Sequence, residues 1–139
     1  MNKKLGRACS NASYVLFVVG GALWPLICGD RKCNERLGKT ARTLLISTAV
    51  VQILKLIVPE WRPDTGRKGS FPSGHSTNTM AVATLGALQN PAQAAAWYMP
   101  AVGISLSRIA LRRHHVRDVV VGSILGLAVA GGIALHKSR

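Results

Sequence analysis

Residues 92–135 read AQAAAWYMPAVGISLSRIALRRHHVRDVVVGSILGLAVAGGIAL, two apolar runs divided by the basic cluster Arg112–Arg117. The first run, about Ala92 to Leu111, carries a single charge at Arg108; the second, about Val119 to Leu135, carries none. A transmembrane helix wants roughly 20 apolar residues, so both runs can cross a bilayer, with the charges between them at the lipid–water boundary. Three further apolar stretches lie upstream, at about Ala12–Cys28, Thr43–Val58 and Thr77–Leu88. The first two of these are marginal in length. The stretch at 77–88 is too short unless His75, Ser76 and residues after Leu88 extend it. Lipid cannot satisfy the polar groups of Thr77, Asn78 and Thr79, which makes this a helix buried among the others. The expectation is an all-α, polytopic membrane helical bundle of about five transmembrane helices. It forms one domain over residues 1–139, with a catalytic core at about 43–135 and an anchor helix and basic loop in 1–42.

Composition agrees. The chain has 139 residues, 18 Lys+Arg against 5 Asp+Glu, a net charge of +13 and 48% hydrophobic residues. Disordered chains of high charge are poor in apolar residues, and the mean hydropathy here is +0.23. A soluble nucleic-acid binder would spread its charge over amphipathic elements, whereas this charge sits between nearly uncharged runs, so no nucleic-acid partner is expected. Cys9, Cys28 and Cys33 form no C-x-x-C pair and read as isolated thiols, with nothing to support a Cys28–Cys33 bridge. Lys3, Lys4 and Arg7 precede the first apolar run as in a signal peptide, but Leu-Ile-Cys-Gly-Asp-Arg after it offers no small-x-small cleavage site. That segment is expected to stay as an anchor. Gly29–Arg42 and Pro59–Ser73 read as loops, and Asn90-Pro91 as a turn that starts the fourth helix. Trp24, Trp61 and Trp97 fall near segment ends, which suits an aromatic belt and core packing equally.

Five crossings bring the N-terminus, the 59–73 loop and the 112–117 cluster to one face, and the chemistry is expected to lie entirely after residue 50. Lys55 sits near the end of an apolar helix, where a charge marks either function or a snorkelling helix end. Phe71-Pro72-Ser73-Gly74-His75 opens the third helix and presents free N–H groups and the positive end of its dipole to an anion; alone, it is equally an ordinary helix start. His114 and Asp118 share a face if helical, and a carboxylate bonded to one imidazole nitrogen would leave the other as a nucleophile. His115 is a rival for the same carboxylate, and a plain juxtamembrane basic cluster is the bland alternative. Gathered on one face, Lys55, Arg62, Arg108, two helix N-termini, two histidines and an aspartate suit a phosphoryl group. No metal cluster is legible among five scattered acids.

At this point the sequence resembles a known family. Lys55-x(6)-Arg62-Pro63, Pro72-Ser73-Gly74-His75 and Ser107-Arg108-x(5)-His114-x(3)-Asp118 match the three signature motifs of the type 2 phosphatidic acid phosphatase superfamily, shared with vanadium-dependent haloperoxidases. The resemblance implies that Lys55, Arg62, Arg108, Ser73 and the Gly74 backbone bind phosphate. It implies that His114 attacks phosphorus to give a phosphohistidine, that Asp118 orients His114, and that His75 protonates the leaving group. The motif spacing favours His114 over His115. No metal or other cofactor is implied. The expected activity is hydrolysis of a phosphate monoester or diphosphate on a membrane lipid: phosphatidic acid, phosphatidylglycerol phosphate, polyprenyl diphosphate or a lipid A type. The partners are that lipid and the bilayer, and the expected location is a bacterial inner membrane. Lipid-to-lipid phosphotransfer and non-catalytic phospholipid binding are the competing readings. Membrane members of the family commonly have six transmembrane helices where five are read here, the difference falling at the N-terminus. Apart from Lys55, Arg62 and Arg108, eight basic residues fall on the site's face and seven, including Lys137 and Arg139, on the other, so charge assigns no orientation.

Overall fold

A computed structural model describes residues 2–27, 29, 31–64 and 66–136. Cys28, Lys137 and Arg139 lie outside the described residues; Cys9 and Cys33 are free thiols. Five helices follow one another: α1 (Lys3–Ile27), α2 (Cys33–Ile57), α3 (Gly74–Gln89), α4 (Ala94–Ala110) and α5 (Val116–Leu135). A short 3-10 turn, Pro91–Gln93, precedes α4. The all-α bundle expected from the apolar runs is therefore present. Three helices, α1, α2 and α5, are long and apolar enough to cross a membrane. The 92–111 run yields a shorter helix than its length suggests, because Pro91 opens it with the 3-10 turn and α4 keeps 17 residues.

Two boundaries differ from the sequence expectation. The basic stretch 29–42 is mostly helix, since α2 begins at Cys33. Glu35, Arg36, Leu37, Lys39, Ala41 and Arg42 have good helix propensity, and Glu35 and Lys39 form an i, i+4 ion pair at 2.8 Å. At the other chain end of the bundle, α1 starts at Lys3, well before the apolar run.

α3 is the centre. Eleven of its sixteen residues are buried, and it packs against all four other helices. Its polarity is absorbed within the protein, as expected for Thr77, Asn78 and Thr79. Thr77 Oγ1 donates to the Ser73 carbonyl (3.0 Å), Thr79 Oγ1 to the His75 carbonyl (2.8 Å) and Thr84 Oγ1 to the Met80 carbonyl (2.7 Å). Asn78 reaches outward to Tyr14 of α1 and Thr48 of α2. Against α5 the approach is backbone to backbone. A Cβ at Gly122 would lie 2.6 Å from the Ser73 carbonyl oxygen, and one at Gly126 would strike the Thr77 carbonyl. Small residues one turn apart thus let α5 press against the start of α3, as in other helix pairs packed for membranes.

The tryptophans divide. Trp97 packs edge-on against Trp24 and Phe17, with centroids at 5.9 Å and 6.1 Å, in the cluster under α3. Trp61 is exposed in the α2–α3 loop beneath the Lys68 ammonium.

Candidate active site

The end of the bundle that carries the start of α3 also gathers the N-terminal part of α1, the end of α2, the end of α4 and the start of α5. Arg7 of α1 and Arg113 of the α4–α5 loop both pair with Asp64 of the α2–α3 loop, at 2.9 Å and 3.2 Å. The common face expected from counting crossings is therefore observed.

The α2–α3 loop is shaped by its own backbone. Arg62 N–H donates to the Arg67 carbonyl and Ser70 N–H to the Glu60 carbonyl, each at 2.9 Å. Lys55 Nζ tethers it from α2 through the Gly69 carbonyl (2.7 Å), and Arg117 of α5 pairs with Glu60. The loop delivers Ser70 to the start of α5. There the Ser70 hydroxyl donates to Asp118 Oδ2 (2.5 Å), and Ser73 N–H donates to the Asp118 carbonyl (2.9 Å).

His114 is held by the same loop. Its Nδ1 lies 2.7 Å from the Ser70 carbonyl. A carbonyl only accepts, so Nδ1 carries the proton and Nε2 keeps a free lone pair. Burial pushes the His114 pKa down to about 4, against a raising contribution from the Ser70 hydrogen bond. The ring is thus neutral near pH 7. The direct bond from Asp118 expected from the i, i+4 spacing is not formed: the Nδ1–Oδ2 distance is 3.8 Å. The reason is that α5 begins only at Val116, so His114 precedes the helix on which the spacing was counted. Asp118 reaches His114 through Ser70. It also accepts from the His115 backbone N–H (2.9 Å), closing a capping box at the head of α5.

A cavity of about 500 Å³ brings together Lys55, Arg62, Gly74, His75, Arg108 and His114 of the expected residues. Burial, then the nearby Arg113, lowers the pKa of the Arg62 guanidinium. Ser73 and Asp118 stand behind the wall, both fully buried. The Ser73 hydroxyl is engaged in capping α3, accepting from Ser76 N–H (3.4 Å) and the Ser76 hydroxyl (3.0 Å). What reaches the cavity from this turn is Gly74 and His75 at the head of α3, where the helix presents unpaired N–H groups.

The expectation that all chemistry follows residue 50 is corrected by α1. Asn11, Tyr14 and Val15 line the same cavity. Arg108 Nη1 donates to Ser10 Oγ (3.0 Å) and Asn11 Oδ1 (3.1 Å). The Tyr14 ring lies over His75 with centroids 4.1 Å apart, and Asn78 Nδ2 donates to its hydroxyl (3.0 Å). The available signal was a polar run, Ser10-Asn11 and Ser13-Tyr14, at the head of an apolar segment. Arg113 also lines the cavity, a residue weighed in the sequence only as part of a basic cluster.

The sequence model of the PAP2 superfamily matches residues 37–138. The chain belongs to the PAP2 superfamily. A PAP2-type fold is also found in a solved structure, Aquifex aeolicus LpxE, at a TM-score of 0.70 and 23% identity, covering 94% of this chain and 93% of that one. Lipid A 1-phosphatase of Porphyromonas gingivalis is 38% identical over 72 residues, which are 49% of this chain and 16% of that protein. The match therefore spans about one-sixth of that relative's length. With these likenesses and three helices apolar enough to cross a bilayer, the PAP2 chain is a membrane protein.

Proposed function

We propose that the protein is a multi-pass enzyme of a bacterial inner membrane. It hydrolyses a phosphate monoester or diphosphate of a membrane lipid through a phosphohistidine. The observation that carries this reading is His114, neutral and with Nε2 free, in one cavity with His75, Lys55, Arg62 and Arg108. Its volume lies in the range of about 300–1,000 Å³ usual for ligand sites, which leaves room for a headgroup beside the phosphate.

In the first step the Nε2 lone pair attacks phosphorus, the P–O bond to the lipid breaks, and His75, carrying a proton taken up when the phosphate dianion binds beside it, gives that proton to the leaving oxygen. In the second, His75 takes a proton from water as the water oxygen attacks phosphorus. The P–N bond breaks, its electron pair returns to Nε2, and inorganic phosphate leaves. Three cations and the N–H groups heading α3 take up the charge that builds on the phosphoryl oxygens. Among the candidate substrates, phosphatidic acid, phosphatidylglycerol phosphate, polyprenyl diphosphate and a phosphorylated glycolipid, the name of the P. gingivalis relative supports the last.

The test is phosphate release by the purified protein in detergent across that lipid panel. Among the described residues no three His, Cys, Asp or Glu side chains gather to hold a metal ion. Release is accordingly expected to persist in excess chelator, and a strict need for a divalent cation would overturn the mechanism. Product analysis separates water from a second lipid as acceptor.

The state of His114 also sets a pH dependence. Only the neutral ring can attack, and its pKa is lowered from 6.5 to about 4. Activity therefore requires pH above the lowered value, and the acid limb of kcat/KM, which reports the free enzyme, is expected near pH 4. A limb near pH 6.5 that persisted when His75 was changed would contradict the neutral, buried nucleophile.

A further inference from the structure

The PAP2 superfamily match begins at residue 37, so α1 lies wholly outside it. Nevertheless, α1 presents one face to the cavity. Asn11, Tyr14 and Val15, spaced i, i+3 and i+4, all line it. Of these, Asn11 sits beside a cation expected to hold phosphate, because its Oδ1 accepts from Arg108 Nη1 at 3.1 Å.

That one hydrogen bond fixes the orientation of the amide. A guanidinium has five N–H donors and no acceptor, so the Asn11 oxygen must face Arg108. The two hydrogens of Nδ2 are then turned away from the guanidinium. Ser10 completes the arrangement, taking a second bond from Arg108 Nη1 (3.0 Å) and meeting Ser107 Oγ at 2.8 Å. Arg108 is thereby locked to α1 with 3% of its surface exposed, while Asn11 is exposed at the cavity wall.

We infer that Asn11 is a phosphate-binding residue, donating from Nδ2 to an oxygen of the phosphoryl group that Arg108 holds. The inference rests on the phosphate chemistry proposed above and extends it to a helix outside the family motifs. Arg108 supplies charge, and Asn11 adds a neutral directional donor whose aim is set by Arg108 itself. A competing role is purely structural, with Asn11 as a pin joining α1 to α4.

Asn11→Asp separates the two. The substitution keeps shape and volume, and it turns the bond to Arg108 into an ion pair, so a structural pin would be preserved or strengthened. In a phosphate-binding role the same change removes the donor and sets a carboxylate against the phosphate dianion. The experiment is calorimetric titration of the detergent-solubilised full chain with inorganic phosphate, with Tm measured beside it. Expected are an unchanged or raised Tm in Asn11→Asp and a phosphate affinity lowered about tenfold or more. Asn11→Ala, which loses the donor and adds no charge, is expected to lose roughly threefold. Wild-type affinity in the folded Asp variant would overturn the inference, as would wild-type affinity in Asn11→Ala should the Asp variant not fold. Failure of the wild-type protein to bind phosphate, with no release from any lipid, would overturn the hydrolase reading and this inference together. Turnover that depends on His114 alongside unchanged affinity in both Asn11 variants would remove only the latter.

Discussion

His114→Ala is expected to lower phosphate release from the preferred lipid by roughly 10³–10⁶-fold, the scale on which covalent catalysis collapses when its nucleophile is removed. His115→Ala is expected to keep most of it. The two histidines are neighbours in sequence and both approach Asp118, so composition does not separate them. The structure does. His114 is 4% exposed, its Nδ1 is committed to the Ser70 carbonyl, and it lines the cavity. His115 has a side chain 43% exposed, with Nδ1 at 3.4 Å from Asp118. It is the N-cap residue of α5, and its backbone N–H bond to Asp118 survives truncation. Loss of its side chain should therefore cost little stability and little chemistry. Single-turnover trapping of the phosphoenzyme gives a second readout: label should be absent in the His114 variant and present in the His115 variant. Comparable losses in both would overturn the assignment of the nucleophile.

The contrast between these neighbours shows where sequence reading stops. The five helices were legible because a chain that crosses lipid must alternate long apolar runs with polar breaks, a pattern independent of tertiary detail. That Lys55, Arg62, Gly74, His75, Arg108 and His114 would meet in one cavity was legible through the resemblance to the family's three motifs, whose spacing they match. The connection between Asp118 and His114 was not, since it depends on where α5 starts. A helix that began two residues earlier would have placed both on one face, whereas the capping box at His115 leaves His114 outside. Nor was Ser70 legible as the link, because it acts through a main-chain carbonyl that every residue possesses. The contribution of α1 was missed for another reason: Asn11 and Tyr14 acquire meaning only through partners 97 and 61 positions away (108 − 11 and 75 − 14), and a single sequence carries no record of that contact.

Asp118→Asn carries the second large effect, a fall in turnover of roughly 10²–10³-fold. Attack by Nε2 leaves the imidazole ring with a positive charge in the phosphohistidine. Asp118 Oδ2 lies 3.8 Å from Nδ1 of that ring, with a carboxylate 0% exposed. A unit pair near 4 Å is worth about 4 kcal/mol at an effective dielectric of 20, and only part of this develops in the transition state. A net of about 3–4 kcal/mol corresponds to the stated range. The neutral charge, not the loss of a direct hydrogen bond, is the cause, because no direct bond exists to lose. Ser70→Ala tests the distinction. It removes the hydroxyl that donates to Asp118 at 2.5 Å but keeps the carbonyl that receives His114 Nδ1 at 2.7 Å, and it leaves the carboxylate charge in place. Its expected loss is about tenfold, from slackened positioning. If Asp118 acts partly through Ser70, the double variant should fall short of the product of the two single losses, since residues sharing one network do not add independently. Equal losses in Ser70→Ala and Asp118→Asn would mean that geometry dominates and charge contributes little. Near-wild-type turnover in a folded Asp118→Asn protein would remove the carboxylate from the mechanism and leave it as the cap of α5 alone.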